Sequence, residues 1–186
     1  MKEIDEDGTR DIHCSGSLIS QSHVLTSGHC FYPDYPDSSS WNLFTLYFGS
    51  ERPDQADSYE IEREKRKIQD VYIHDEYNGK NAYYDVAVIK IEEIQFTIYI
   101  YPICLPEISQ PDRHHRDNHQ ANVIGYGPDK QSSNISLTAF PIKIFPSDVC
   151  DAKYSEKTPR VQAFVSNLIP ENFKDDLTCG KSIVCT

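Results

Sequence analysis

The 186-residue chain carries 18 Lys and Arg against 29 Asp and Glu, a net charge of −11 with a sequence pI near 5.0, which excludes sequence-independent attraction to nucleic acid or to an anionic membrane surface. A hydrophobic fraction of 38% with 11% aromatic residues argues against disorder and leaves room for one ordinary domain, or two small units sharing a core. The most apolar run, 98–105, is interrupted by Tyr99, Tyr101 and Pro102 and is far too short to span a membrane.

Taken in order, residues 1–10 are charged and lack the apolar segment of a secretory signal. The cysteines point the other way. Cys14, Cys30, Cys104, Cys150, Cys179 and Cys185 show none of the paired short spacings of a zinc site, and their number suits an oxidising, extracellular setting. Strand signals, short runs rich in Val, Ile, Tyr and Phe, follow at 17–26, 41–48, 71–74, 86–91, 121–125 and 139–145. Between them, 32–40, 49–58 and 127–134 are written in Pro, Asp, Ser, Gly and Asn, the composition of turns and loops. Helical signals are few: 145–154, opened by Pro146 and Ser147 with Asp148 in its first turn, and 62–70. Many short strands separated by loops predict an all-β sandwich or barrel. The polar stretch 107–119, with Pro111 and several Arg and His, reads as a linker between halves at 11–106 and 120–186. Asn134-Ile135-Ser136 is a glycosylation sequon and agrees with secretion.

Two segments carry chemistry. Cys14-Ser15-Gly16-Ser17-Leu18-Ile19-Ser20, followed by Val24-Leu25-Thr26-Ser27-Gly28-His29-Cys30, sets a histidine beside a cysteine at the end of an apolar strand. An imidazole with an ordinary pKa of about 6.5 takes a proton from a hydroxyl and returns it near neutral pH. Taken alone, His29 reads first as an ordinary partly buried histidine at a strand end. Tyr83-Tyr84-Asp85-Val86-Ala87-Val88-Ile89-Lys90-Ile91 places one carboxylate directly before a nearly continuous apolar strand. Such a carboxylate can accept the Nδ1 proton of a histidine and fix its tautomer. Taken alone, Asp85 is an exposed residue ending a loop.

In this order the two segments resemble the CGGSLIS…VLTAAHC and D-[IV]-A-[LV]-[IL]-[KR]-[LI] blocks of the trypsin/chymotrypsin-like serine protease family. Ser15, His23 and the Ser27-Gly28 pair depart from that pattern. Tyr101-Pro102-Ile103-Cys104-Leu105-Pro106 is similar to the family's PICLP segment, and Ala121-Asn122-Val123-Ile124-Gly125-Tyr126-Gly127 to its xVxGWG strand, with Tyr126 in place of tryptophan. Phe145-Pro146-Ser147-Asp148-Val149-Cys150 and Leu177-Thr178-Cys179-Gly180 extend the resemblance to about Gly180.

The resemblance implies one peptidase domain over 1–186, built as two Greek-key six-stranded antiparallel barrels of chymotrypsin type, the second incomplete. It implies His29 as general base, Asp85 as its orienting carboxylate, and disulfides Cys14–Cys30 and Cys150–Cys179. Cys104 either tethers a separate regulatory region or is an unpaired buried thiol; Cys185 stands where the family has the cysteine before its nucleophile. The Gly-Asp-Ser-Gly-Gly sequence that bears that nucleophile does not occur. Ser182 is a poor substitute, because the glycine-rich turn that supplies oxyanion donors is missing with it. Met1-Lys2-Glu3-Ile4 does not match the Ile-Val-Gly-Gly-like start of mature members. The implied function is serine-type peptide-bond hydrolysis by a secreted parent enzyme, with no turnover by this chain and a substrate preference that cannot be read. The alternative is a non-catalytic homologue that binds a protease, an inhibitor or a regulatory domain.

No cofactor or metal is expected. His114, His115 and His119 beside Asp112 and Asp117 are too irregularly spaced for a ligand set. Glu51, Asp54, Asp57, Glu60 and Glu62 correspond in position to a calcium loop of some members and read as an exposed acidic loop. Lys65-Arg66-Lys67 reads as a surface charge cluster or a cleavage-prone loop. Loss of the last strands should leave apolar surface and an open sheet edge in the second half.

Overall fold

The computed structural model describes residues 1–4, 10–12, 14–34, 37–52, 63–80, 83–105, 120–128 and 135–143. Ten strands lie among them: β1 (Lys2–Ile4), β2 (Arg10–Ile12), β3 (Ser17–Ser20), β4 (His23–Thr26), β5 (Leu46–Phe48), β6 (Glu64–Arg66), β7 (Ile68–Ile73), β8 (Ala87–Ile91), β9 (Gln120–Pro128) and β10 (Ile135–Lys143). The helical elements are a 3₁₀ turn at Gly28–Cys30 and a one-turn helix α1 (Ser38–Trp41). Asp37 caps that helix by accepting from the Ser39 and Ser40 amides. The all-β class expected from the sequence is what the described residues show. Their strands form one four-stranded sheet, ordered β3-β4-β8-β7, and three two-stranded sheets. None of these is closed into a barrel.

The run 17–26, read as one strand, is a hairpin that turns at Gln21 and Ser22. Of the stretch 62–70, read as a helix, the described residues 63–70 hold β6 and the start of β7 instead. Its charged residues are held extended by pairing with β5 in the register Leu46↔Arg66 and Phe48↔Glu64. Lys67 Nζ reinforces this by donating to the Asn42 and Phe44 carbonyls, at 3.0 and 3.1 Å. Trp41, expected to begin a strand, ends α1, and the strand starts at Leu46. The linker 107–119, the second helical candidate at 145–154, Asn134, Cys150, Cys179, Ser182, Cys185 and the histidines at 114, 115 and 119 lie outside the described residues.

The core is built on β8. Ala87, Val88, Ile89 and Ile91 are all buried, so this strand is covered on both faces, as its continuous apolar sequence requires. Leu18, Val24 and Ile89 share one face through the pairs Leu18↔Val24 and Val24↔Ile89. They pack in one cluster with Phe31, Phe44 and Ile94, and the Phe31 and Phe44 rings meet edge to face at 5.8 Å. Each such side chain, fully buried, contributes about 1.5–3 kcal/mol. The β9–β10 hairpin attaches to this body at 50–51: Tyr126 Oη donates to the Ser50 carbonyl at 2.6 Å, and the Leu137 amide to that of Glu51 at 2.8 Å. Val123, Ile124, Leu137, Phe140 and Ile142 of this hairpin are exposed.

Candidate active site

Strand register brings the two chemical segments together. β4 and β8 are antiparallel, and their last pair at one end of the sheet is Thr26↔Ala87. The chain leaving β4 and the chain entering β8 therefore lie side by side at that end. Three residues beyond Thr26 is His29, in the 3₁₀ turn; two before Ala87 is Asp85. The Asp85 carboxylate contacts His29 at two points. Oδ1 accepts the His29 backbone N–H at 2.8 Å, and Oδ2 lies 2.7 Å from Nδ1. The backbone contact fixes the carboxylate, so the second oxygen is already in place to accept a hydrogen bond from Nδ1–H. The Asp85 side chain is 23% exposed and that of His29 59%, which turns the imidazole edge bearing Nε2 toward solvent. A histidine held in this tautomer accepts a proton at Nε2, and the carboxylate stabilises the imidazolium that results.

The turn carrying His29 is tied on its far side by the disulfide Cys14–Cys30, with a Cα–Cα distance of 6.2 Å. Closing a loop of this size restricts the unfolded chain by about 3 kcal/mol on a chain-entropy account. Cys14, His29 and Cys30 also bring potential metal-ligand atoms within 4.8 Å of one another. Both sulfurs are spent in the disulfide, so no thiolate is left for a metal. Cys104 is itself disulfide-bonded, to a partner outside the described residues. Neither reading of the sequence is met: the thiol is not free, and the bond lies within this chain and does not run to a separate region.

Three further side chains crowd this end of the sheet and were not singled out in the sequence. Tyr77 presses on the turn: a Cβ added at Gly28 would meet its Cδ1 at 3.0 Å. The Tyr77 phenol is raised above its ordinary pKa by burial, with the Asp85 charge adding to the effect. Tyr84, immediately before Asp85, has a left-handed φ of 58°, a conformation that costs a residue with a Cβ about 1–2 kcal/mol. Its ring stacks on His74 with centroids 4.5 Å apart and planes 23° off parallel, a contact worth about 0.5–1.5 kcal/mol. A hydrogen bond to Glu76 raises the Tyr84 phenol pKa, and His74 Nδ1 accepts the Glu76 amide at 3.2 Å. Aromatic residues in a loop carry no signal of such a stack, so the sequence could not disclose it.

A separate cavity of about 180 Å³ is lined by Leu18, Thr26, Leu46, Ile89, Ile100 and Tyr126 among others. Neither His29 nor Asp85 borders it, and among the described residues its walls hold no carboxylate or histidine.

Comparison with known proteins agrees with this geometry. A family model described as Trypsin matches residues 5–174. Serine protease Hayan of Drosophila melanogaster is 31% identical over 156 residues, covering 81% of this chain and 22% of that protein. Transmembrane protease serine 11B of Homo sapiens is 29% identical over 148 residues, covering 77% of the chain and 32% of the relative. Venom serine protease Bi-VSP of Bombus ignitus is 32% identical over 119 residues, covering 61% and 30%. The chain thus spans about a third or less of each relative's length. With the family model matched along most of its sequence and His29 and Asp85 joined as that resemblance implied, the chain belongs to the trypsin family of serine proteases.

Proposed function

We propose that this chain carries the proton-transfer half of a trypsin-like serine endopeptidase, with His29 as general base and Asp85 as its orienting carboxylate. The observation that supports it most is the two-point contact of Asp85 with His29, through the backbone N–H and Nδ1. In peptide-bond hydrolysis, Nε2 of His29 takes the proton of a serine hydroxyl as its oxygen bonds to the scissile carbonyl carbon. The imidazolium then delivers that proton to the departing amine as the C–N bond breaks, and Asp85 remains ionised throughout. Water repeats the sequence on the acyl ester, again giving its proton to Nε2.

The nucleophile is assigned outside these 186 residues, because no Gly-Asp-Ser-Gly-Gly occurs in them. The full architecture is two Greek-key barrels, β3-β4-β8-β7 belonging to the first and β9-β10 to the second. The setting is extracellular: Cys14–Cys30 is closed, Cys104 is bonded, and one relative is named as a venom protease. The exposed apolar residues of β9 and β10 favour a second reading, a non-catalytic homologue that binds a protease, an inhibitor or a regulatory domain. Exposure of the purified chain to a serine-directed fluorophosphonate and to peptide esters separates active from inactive. No label and no ester turnover are expected; stoichiometric labelling of a serine within the chain would overturn the assignment of the nucleophile elsewhere.

A further inference from the structure

We propose that Tyr84, stacked on His74, is a positioning residue that aims Asp85 at His29. The inference rests on the base-and-orienter reading of that pair.

Residue 84 is where the chain turns from the preceding loop into β8. Its φ of 58° is a conformation that glycine and asparagine adopt readily and that a bulky aromatic residue seldom does. A tyrosine stays there only if its surroundings hold it. The hold is visible on both sides of the turn. On the side-chain side, the ring lies flat on the His74 imidazole at 4.5 Å. On the backbone side, the Val86 amide donates to the Tyr84 carbonyl at 2.7 Å, and the His74 amide to the Val86 carbonyl at 3.1 Å. His74 directly follows β7, whose last residue pairs with Ala87 as Ile73↔Ala87. The stack therefore joins the end of β7 to the entrance of β8.

The consequence falls on Asp85. From Ala87 onward β8 is fixed between β4 and β7, so a change of φ at residue 84 cannot be passed forward into the strand. It would be absorbed at 84–86, swinging a carboxylate that must meet two donors of His29 at 2.7 and 2.8 Å. Tyr84 itself touches neither reacting atom; it acts through the direction it gives to Asp85. The stacking contact and the backbone strain are of similar size, so loss of the ring is enough to release the turn.

The test is the His29 Nδ1 proton, followed by NMR in the full chain. A proton held by Asp85 resonates far downfield and exchanges slowly with water. The expected result is a slow proton in wild type and in Y84F, and exchange faster by roughly two- to tenfold in Y84A and in H74A, the factor that loss of one stacking contact produces. Intact Cys14–Cys30 linkage by mass spectrometry and unchanged core methyl shifts identify variants that remain folded, and H74A leaves Tyr84 in place should Y84A not fold. Exchange in Y84A and H74A as slow as in wild type would overturn the proposal. Fast exchange in Y84F would also overturn it, because that result transfers the role from the ring to the Glu76 hydrogen bond. D85N separates this from the broader reading: a slow proton that survives D85N refutes the His29–Asp85 pair itself, whereas one lost in D85N but kept in Y84A and H74A refutes only the role of Tyr84.

Discussion

His23 is buried at the start of β4, with Ser20 Oγ 2.9 Å and Ser22 Oγ 3.1 Å from its Nδ1. Register sets Lys90 directly across from it on β8, and Asp70 of β7 across from Lys90 on the far side. Burial lowers the His23 pKa below its ordinary value, and the Lys90 charge lowers it further. The folded chain therefore binds this proton less readily than the unfolded chain, whose histidines titrate near pH 6.5. The stability contributed by neutral His23 is complete above about pH 6.5 and is lost as the pH falls from there toward the lowered folded value. Urea unfolding at pH 7.5 and 5.5 checks this, with a lower midpoint expected at 5.5 and a smaller difference in H23Q. Asp37, whose carboxyl is held below its usual range by Ser39 and Ser40, loses its contribution at more acidic pH and does not confound that window. An equal pH dependence in H23Q and wild type would rule out His23 as the source. Among single residues, His29 and Asp85 were singled out only by the order of the two family-like blocks that carry them, since each taken alone reads as an ordinary strand-end histidine or loop carboxylate. The left-handed Tyr84 was not, since tyrosine is a residue type for which that conformation has no sequence signature.

Elements were legible where burial wrote them. β8 is apolar because it lies inside the four-stranded sheet, and its sequence alone located it, whereas β4 was read as one strand with β3. β1, β2 and β6 were missed: Lys2-Glu3-Ile4, Arg10-Asp11-Ile12 and Glu64-Lys65-Arg66 have no alternation to read, and their extended form comes from cross-strand pairing. The join between the segment before β3 and β4 shows the same dependence on tertiary context. A Cβ added at Gly16 would stand 2.8 Å from Val24 Cγ1 and 2.9 Å from the Leu25 carbonyl oxygen. The carbonyl belongs to a paired strand and cannot move aside, so the glycine is required by close approach and not by its own φ. G16A should destabilise the chain by about 1–3 kcal/mol, the usual cost of overpacking, read as a lower urea midpoint with the Cys14–Cys30 bond still formed. No change in midpoint would mean that the 14–16 segment gives way more easily than its backbone contacts indicate.

At the scale of the molecule, β9 and β10 raise a different question. Their register pairs Val123 with Phe140 and Ala121 with Ile142 on one face, and Tyr126 with Leu137 on the other beside Ile124. The second face is anchored by the Tyr126 bond to Ser50. On the first, Val123 and Phe140 are each 50% exposed and Ile142 43%. An isolated two-stranded hairpin is marginal in water, so this one depends on its attachment at 50–51 and on whatever covers its apolar face. That face lies on a chain whose net charge of −11 keeps copies apart near neutral pH. As the pH approaches the sequence pI of about 5.0, the repulsion fades and the apolar face is free to associate. The expected behaviour is binding of an apolar reporter dye at pH 7.5 without self-association, then concentration-dependent sedimentation as the pH is lowered toward 5.5. V123T with F140T, both solvent-facing, should reduce dye binding and association together while leaving the pH dependence assigned to His23 intact. Equal dye binding and association in the double variant would place the adhesive surface elsewhere; loss of one property without the other would show that dye and partner copies use different faces of the hairpin.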